Sequence, residues 1–187
     1  METVTNKGLV SLSADTFTSE NGCGTFATLN KEVTVQGVSR SGTVIDCGGA
    51  TFGMEISIDS KVTLRSLTMR GAVSSNPWGG ACVEVSQNGQ LVLDDVLLEN
   101  CTSSTGNGGA VAVSGLANIT ITGSTIQFST STFGRGGGLF LSSFGTGRTI
   151  IENTVFRQNQ AVNGGAIGIF GGLLFRCLPT RVLPCTS

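Results

Sequence analysis

Apolar side chains in this chain come in pairs two residues apart, and the pairs return at nearly constant spacing. Val83/Val85, Val111/Val113, Leu139/Leu141 and Ile167/Ile169 advance by 28 residues at each step. Ile56/Ile58 extend both columns backwards at a spacing of 27. A second series, Val33/Val35, Val62/Leu64, Leu91/Leu93, Ile119/Ile121 and Thr149/Ile151, advances by 29, 29, 28 and 30. Alternation with a period of two marks a strand with one face buried. A third short strand follows in each unit, around 67–69, 96–98, 125–128 and 154–156. Three short strands per unit, repeated in register, predict an all-β solenoid: a parallel β-helix of about five to six coils. One coil cannot bury its own inward side chains. Stacked at about 4.8 Å per coil, the neighbours above and below supply both the hydrogen bonds and the packing.

Glycines sit where such coils must turn. Gly79-Gly80-Ala81, Gly108-Gly109-Ala110, Gly136-Gly137-Gly138 and Gly164-Gly165-Ala166 each precede a strand of the first series, and glycine accepts the positive φ of a sharp corner. Asn100 and Asn159 have two readings. They form part of an internal asparagine ladder broken at Ser129, or they are ordinary exposed turn residues.

Two halves of a known motif occur together in Phe156-Arg157-Gln158-Asn159 and Gly164-Gly165-Ala166-Ile167. This pairing resembles the repeat of the chlamydial polymorphic outer-membrane proteins, which couples a GGAI-type tetrapeptide to a Phe-x-x-Asn element. Leu97-Leu98-Glu99-Asn100 with Gly108-Gly109-Ala110-Val111 is a close variant, and 126–129 with Gly136-Gly137-Gly138-Leu139 a degenerate one. The stretches 33–49 and 62–71 resemble the opening coils of right-handed β-helices of the pectin-lyase-like superfamily. The resemblance covers roughly residues 30 to 170 and implies a right-handed helix. It says little about activity, because this fold hosts adhesins, lyases, hydrolases and structural surface proteins.

The pattern divides the chain into an N-terminal segment or first partial coil (1–30), the β-helix (31–170) and an irregular tail or truncated end (171–187). The last part, GGLLFRCLPTRVLPCTS, shows no alternation and contains Pro179 and Pro184. A Cys177–Cys185 closure is one way such an end becomes a cap. Without a cap, the C-terminal strands form an edge open to pairing with another chain, so edge-to-edge self-association is expected.

Charged residues are only 12 % of the 187, the net charge is −1, and no run of Lys or Arg occurs, which argues against nucleic acid as a partner. No apolar stretch has the length of a membrane span or of a signal-peptide core. If the family is secreted, its signal is absent from this chain. Six cysteines without CxxC spacing, in a chain with no histidine, argue against a zinc site. Their even number suits disulfides in an oxidising compartment, while buried free thiols remain the alternative.

The missing histidine also removes Ser-His-Asp, Cys-His and histidine-assisted hydrolase chemistry. Asp94-Asp95 is the adjacent acidic pair. It reads as calcium ligands or an acid–base pair, or as a solvated corner, since Arg65-Ser66, Thr122-Gly123 and Glu152-Asn153 take its place in other coils. Glu84 alternates outward between Val83 and Val85, with Ala112, Phe140 and Gly168 in its column, and is expected at the surface. No catalytic, cofactor or metal residue is assigned. Asn100-Cys101-Thr102 and Asn118-Ile119-Thr120 are glycosylation sequons. The outward column Thr63, Val92, Thr120, Ile150 is uncharged and suits a glycan, a partner protein or ice, or reflects ordinary β-propensity alone. The expected function is a non-catalytic, secreted or cell-surface module with an adhesive, structural or glycan-binding role. The alternative is a pectin-lyase-like lyase or hydrolase.

Overall fold

The computed structural model describes residues 7–18, 23, 26–29, 31–49, 52–77, 79–142, 147–171, 174–177 and 181–182. All regular elements among them are strands, paired in parallel in three sheets of twelve, six and four strands. The chain is a parallel β-solenoid.

The first face stacks Lys7–Ser11, Glu32–Gln36, the first half of Lys61–Arg70, the first half of Gln90–Glu99, Asn118–Thr122, Arg148–Glu152 and Leu174–Cys177. Its register is the one the spacing predicts. Val33, Val62, Leu91, Ile119 and Thr149 form one inward column; Val35, Leu64, Leu93, Ile121 and Ile151 form the other. The long strands bend midway at Ser66 and Asp95, whose φ values are 49° and 57°. Beyond the bend, Ile45, Met69, Leu98, Ile126 and Phe156 fill a further buried column on the second face.

The six-stranded sheet holds Phe26–Leu29, Met54–Ser57, Val83–Val85, Val111–Ser114, Leu139–Ser142 and Ile167–Phe170. Val83, Val111, Leu139 and Ile167 align, as do Val85, Val113, Leu141 and Ile169. The backward extension is displaced by two residues: Met54 pairs with Val83 and Ile56 with Val85. Ile58 lies past the strand end, exposed, at a φ of 45°. Apolarity alone cannot distinguish these phases, because Met54 and Ile56 alternate as well as Ile56 and Ile58. The fourth ladder, Val73–Ser74, Thr102–Ser103, Thr130–Arg135 and Gln160–Asn163, is polar and short, and the three-strand unit omitted it.

The asparagine ladder is also out of phase. Leu98, Ile126 and Phe156 align, so Asn100 falls level with Phe128 and Gln158, all at positive φ. Asn159 is one residue further on, level with Ser129 and Cys101. It is fully buried: its Oδ1 accepts the Ser129 N–H at 3.0 Å and its Nδ2 donates to the Ile126 carbonyl at 2.9 Å. Ser129 repeats the contact one coil down, its Oγ accepting the Cys101 N–H at 3.3 Å. Cys101 therefore occupies the asparagine position, and it is bonded to Cys82 in the coil beneath. Gly138 and Asn159 have the same relation two coils higher, where a Cβ on Gly138 would approach Asn159 Nδ2 to 3.0 Å. Cys23–Cys47 joins the first two coils in a similar way. Of the two cysteine readings, disulfides hold for these four residues. The Cys177–Cys185 closure falls outside the described side chains.

The ends extend further than the sequence division placed them. Lys7–Ser11, Thr16–Thr18 and Phe26–Leu29 pair with the coil above, so solenoid strands lie within the 1–30 segment. At the other end, Leu174–Cys177 and Arg181–Val182 continue the twelve-stranded sheet beyond Phe170. No alternation announces these strands; their backbone completes the ladder.

Candidate functional site

Outward columns of the first face form a flat strip. Thr34, Thr63, Val92, Thr120 and Ile150 align along its middle, all half-buried. Charges flank them. On one side Lys61 binds Glu32 at 3.0 Å; on the other Arg65 binds Asp94 at 2.8 Å. Like-facing positions in a parallel sheet lie one strand spacing apart, so opposite charges one coil apart meet directly. The strip is uncharged and β-branched from Thr34 to Ile150; its register continues to Leu9 below and Arg176 above.

Asp94 and Asp95 stand at the bend, as the solvated-corner reading has it, with one partner the sequence did not reveal. Arg40 extends from the 37–43 loop, two coils below. Its Nε binds Asp95 Oδ1 at 2.7 Å, its Nη1 reaches Thr125 Oγ1 at 3.3 Å, and its Nη2 donates to the Gly123 carbonyl. Ser66 Oγ donates to Asp95 Oδ2 at 3.1 Å. Two arginines and two aspartates thus share one corner, each carboxylate held by a guanidinium.

A second polar ladder climbs the second face, where Asp46, Arg70, Glu99, Gln127 and Arg157 align. Arg70 binds Asp46 at 2.8 Å, Gln127 Nε2 donates to Glu99 at 2.6 Å, and Arg157 donates to Gln127. The Gly48 N–H, donated to Asp46 at 3.0 Å, does most to hold that carboxyl below its usual acidity range; Arg70 assists, and partial burial opposes them.

Glu84 departs from expectation. It is half-buried, accepting a hydrogen bond from Asn76 Nδ2 at 3.0 Å. Burial raises its pKa, and the charge of Glu55, aligned one coil below, adds to the rise; the Asn76 bond works the other way. Ala112, Phe140 and Gly168 in its column are buried too, so this outward column is covered. Tight turns press against it. Gly108 and Gly136 have φ near 70° (70° and 68°), and a Cβ on Gly108 would lie 2.9 Å from the Cα of Ala112.

The two sequons fare differently. Asn100 is exposed, but its Cys101 is locked in the disulfide; Asn118 is half-buried, with its Oδ1 accepting the Arg148 N–H at 2.8 Å. No group of three or more metal-ligating side chains occurs among the described residues. Comparison with family models, curated proteins and solved structures finds no match to this chain.

Proposed function

We propose that this chain is a non-catalytic β-helix module, secreted or displayed on a cell surface, that binds a glycan or a surface protein or serves as structural support. The observation behind it is the first face: five aligned outward residues with no charge, flanked by the ion pairs Lys61–Glu32 and Arg65–Asp94. Such a surface offers contact area without concentrating a field on one reacting atom, which catalysis requires. The disulfides Cys23–Cys47 and Cys82–Cys101 favour an oxidising compartment. Kinship with pectin-lyase-like β-helices and with chlamydial polymorphic outer-membrane repeats is part of the same proposal, resting on the Gly-Gly-Ala and Phe-x-x-Asn elements. A glycan array probed with and without calcium tests it; binding lost on Val92→Asp supports the flat face, and binding unaffected by that change removes it.

The corner of Arg40, Arg65, Asp94 and Asp95 favours a second reading, a polysaccharide lyase, because it brings basic and acidic groups together. The mutual ion pairs weigh against it: a general base must be free to take a proton. Release of unsaturated uronides from pectin or alginate, abolished by Asp94→Asn with Asp95→Asn, would establish this reading instead.

A further inference from the structure

Thr130–Arg135 does not follow its neighbour residue for residue. Thr130 pairs with Gln160 and Ser131 with Ala161, but the next pair is Arg135 with Asn163. Four steps on one strand match two on the other, so 132–134 are expelled from the ladder as a bulge. Bulges re-aim side chains and are common beside functional sites. This one presents Phe133, which is 76 % exposed, more than any other large apolar side chain among the described residues.

The bulge is firmly seated. Ser131 Oγ donates to the Gly106 carbonyl at 2.8 Å, and Asn107 Oδ1 accepts the Arg135 N–H at 2.8 Å. Gly134 lies so close to the Gly106 carbonyl that no Cβ would fit. Beside the bulge lies an open cavity of about 390 Å³, lined by Thr130, Ser131, Thr132, Gln160, Ala161 and Val162. That volume falls within the range of about 300–1,000 Å³ of small-molecule sites. Among the described residues its walls hold hydroxyls, an amide and short apolar groups, and no charge. The nearby guanidinium of Arg135 is engaged over the Phe170 ring, 5.1 Å from its centroid.

We infer that this bulge and cavity form a subsite for a neutral saccharide ring, with Phe133 as its stacking platform. A pyranose presents one face of C–H bonds and a rim of hydroxyls. The C–H face meets the electron-rich face of an aromatic ring, and the rim needs neutral donors and acceptors such as Thr130, Thr132 and Gln160. An acidic sugar would require a free cation in the lining. The site rests on the glycan-binding branch of the function proposed above and gives it a place, away from the flat first face.

The full chain, labelled with ¹⁵N, is titrated with cellohexaose, mannohexaose and xylohexaose, and separately with hexagalacturonate. At least one neutral hexaose is expected to shift the amide resonances of 130–135 and 160–163. Phe133→Ala should weaken that binding about tenfold, Phe133→Trp should preserve it, and Phe128→Ala, at another exposed corner, should leave it unchanged. As Phe133 is solvent-exposed, its loss should not prevent folding. No shift with any neutral hexaose, equal affinity in Phe133→Ala, or preference for hexagalacturonate overturns the inference. Binding centred on Val92 and untouched by Phe133→Ala would overturn this subsite while sustaining the broader glycan-binding reading.

Discussion

Ile151 and Ile169 both point inward from the same coil, yet Ile151 is fully buried and Ile169 is 48 % exposed. Their sequences give no hint of the difference, since each follows the alternation of its own column. The distinction lies one coil higher. Leu174–Cys177 and Arg181–Val182 lie over Arg148–Glu152 and Val155–Arg157, whereas among the described residues Ile167–Phe170 is the last strand of its sheet and Gln160–Asn163 the last of its own. In a solenoid, burial comes from the neighbouring coil, so position in the stack decides what an identical side chain contributes.

The largest effect should come from breaking a column where it is closed. Leu141→Asp places a charge between two coils and should cost at least about 4 kcal/mol, with cooperative unfolding. Ile169→Asp, one coil higher in the same column, should cost under about 1 kcal/mol. Chemical denaturation of both variants checks the pair; equal losses would mean the column closes above Ile169. Next comes the covalent staple. Removing it with Cys82→Ala and Cys101→Ala should cost about 3 kcal/mol, measured as a fall in denaturation midpoint against the intact chain.

A smaller loss is expected at the equivalent place higher up. Asn159→Ala deletes two buried hydrogen bonds and leaves the Ser129 N–H and Ile126 carbonyl without those partners, costing about 1–3 kcal/mol. The smallest effect concerns Glu84. Its folded pKa is raised, so its protonated form favours the fold, and that contribution is lost as pH climbs from about the ordinary glutamate value of 4.5 through the raised one. Glu84→Gln should therefore raise the melting temperature at pH 7 and flatten its decline over that interval. An unchanged pH profile would show that the Glu84 environment does not favour its neutral form.

The first-face columns were legible in the sequence because inward Val, Leu and Ile recur at near-constant spacing in coil after coil, even where Val92 and Ile150 make the outward position apolar too. Phase errors arose where alternation is ambiguous: three apolar candidates at Met54, Ile56 and Ile58, and two leucines at Leu97 and Leu98. The Cys101 position escaped notice because a disulfide half replaces an asparagine, two residues with no shared pattern but the same buried slot. Arg40 and Phe133 lay beyond the reach of periodicity. One works from a loop across 55 residues of sequence to Asp95; the other owes its exposure to two extra residues in a ladder whose strands are too short and polar to read.

Arg40 also changes how the stack should come apart. A solenoid held only by contacts between adjacent coils behaves as a zipper, fraying from an end one unit at a time. The guanidinium of Arg40 skips a level: its loop hydrogen-bonds to the next coil through Thr68, while its charge is tied to the second and third coils above, at Asp95 and Gly123. Opening the lower coil thus disturbs units it does not touch. Four levels are fastened at one corner, like a splint across successive joints, and hydrogen exchange there should proceed as one block rather than coil by coil.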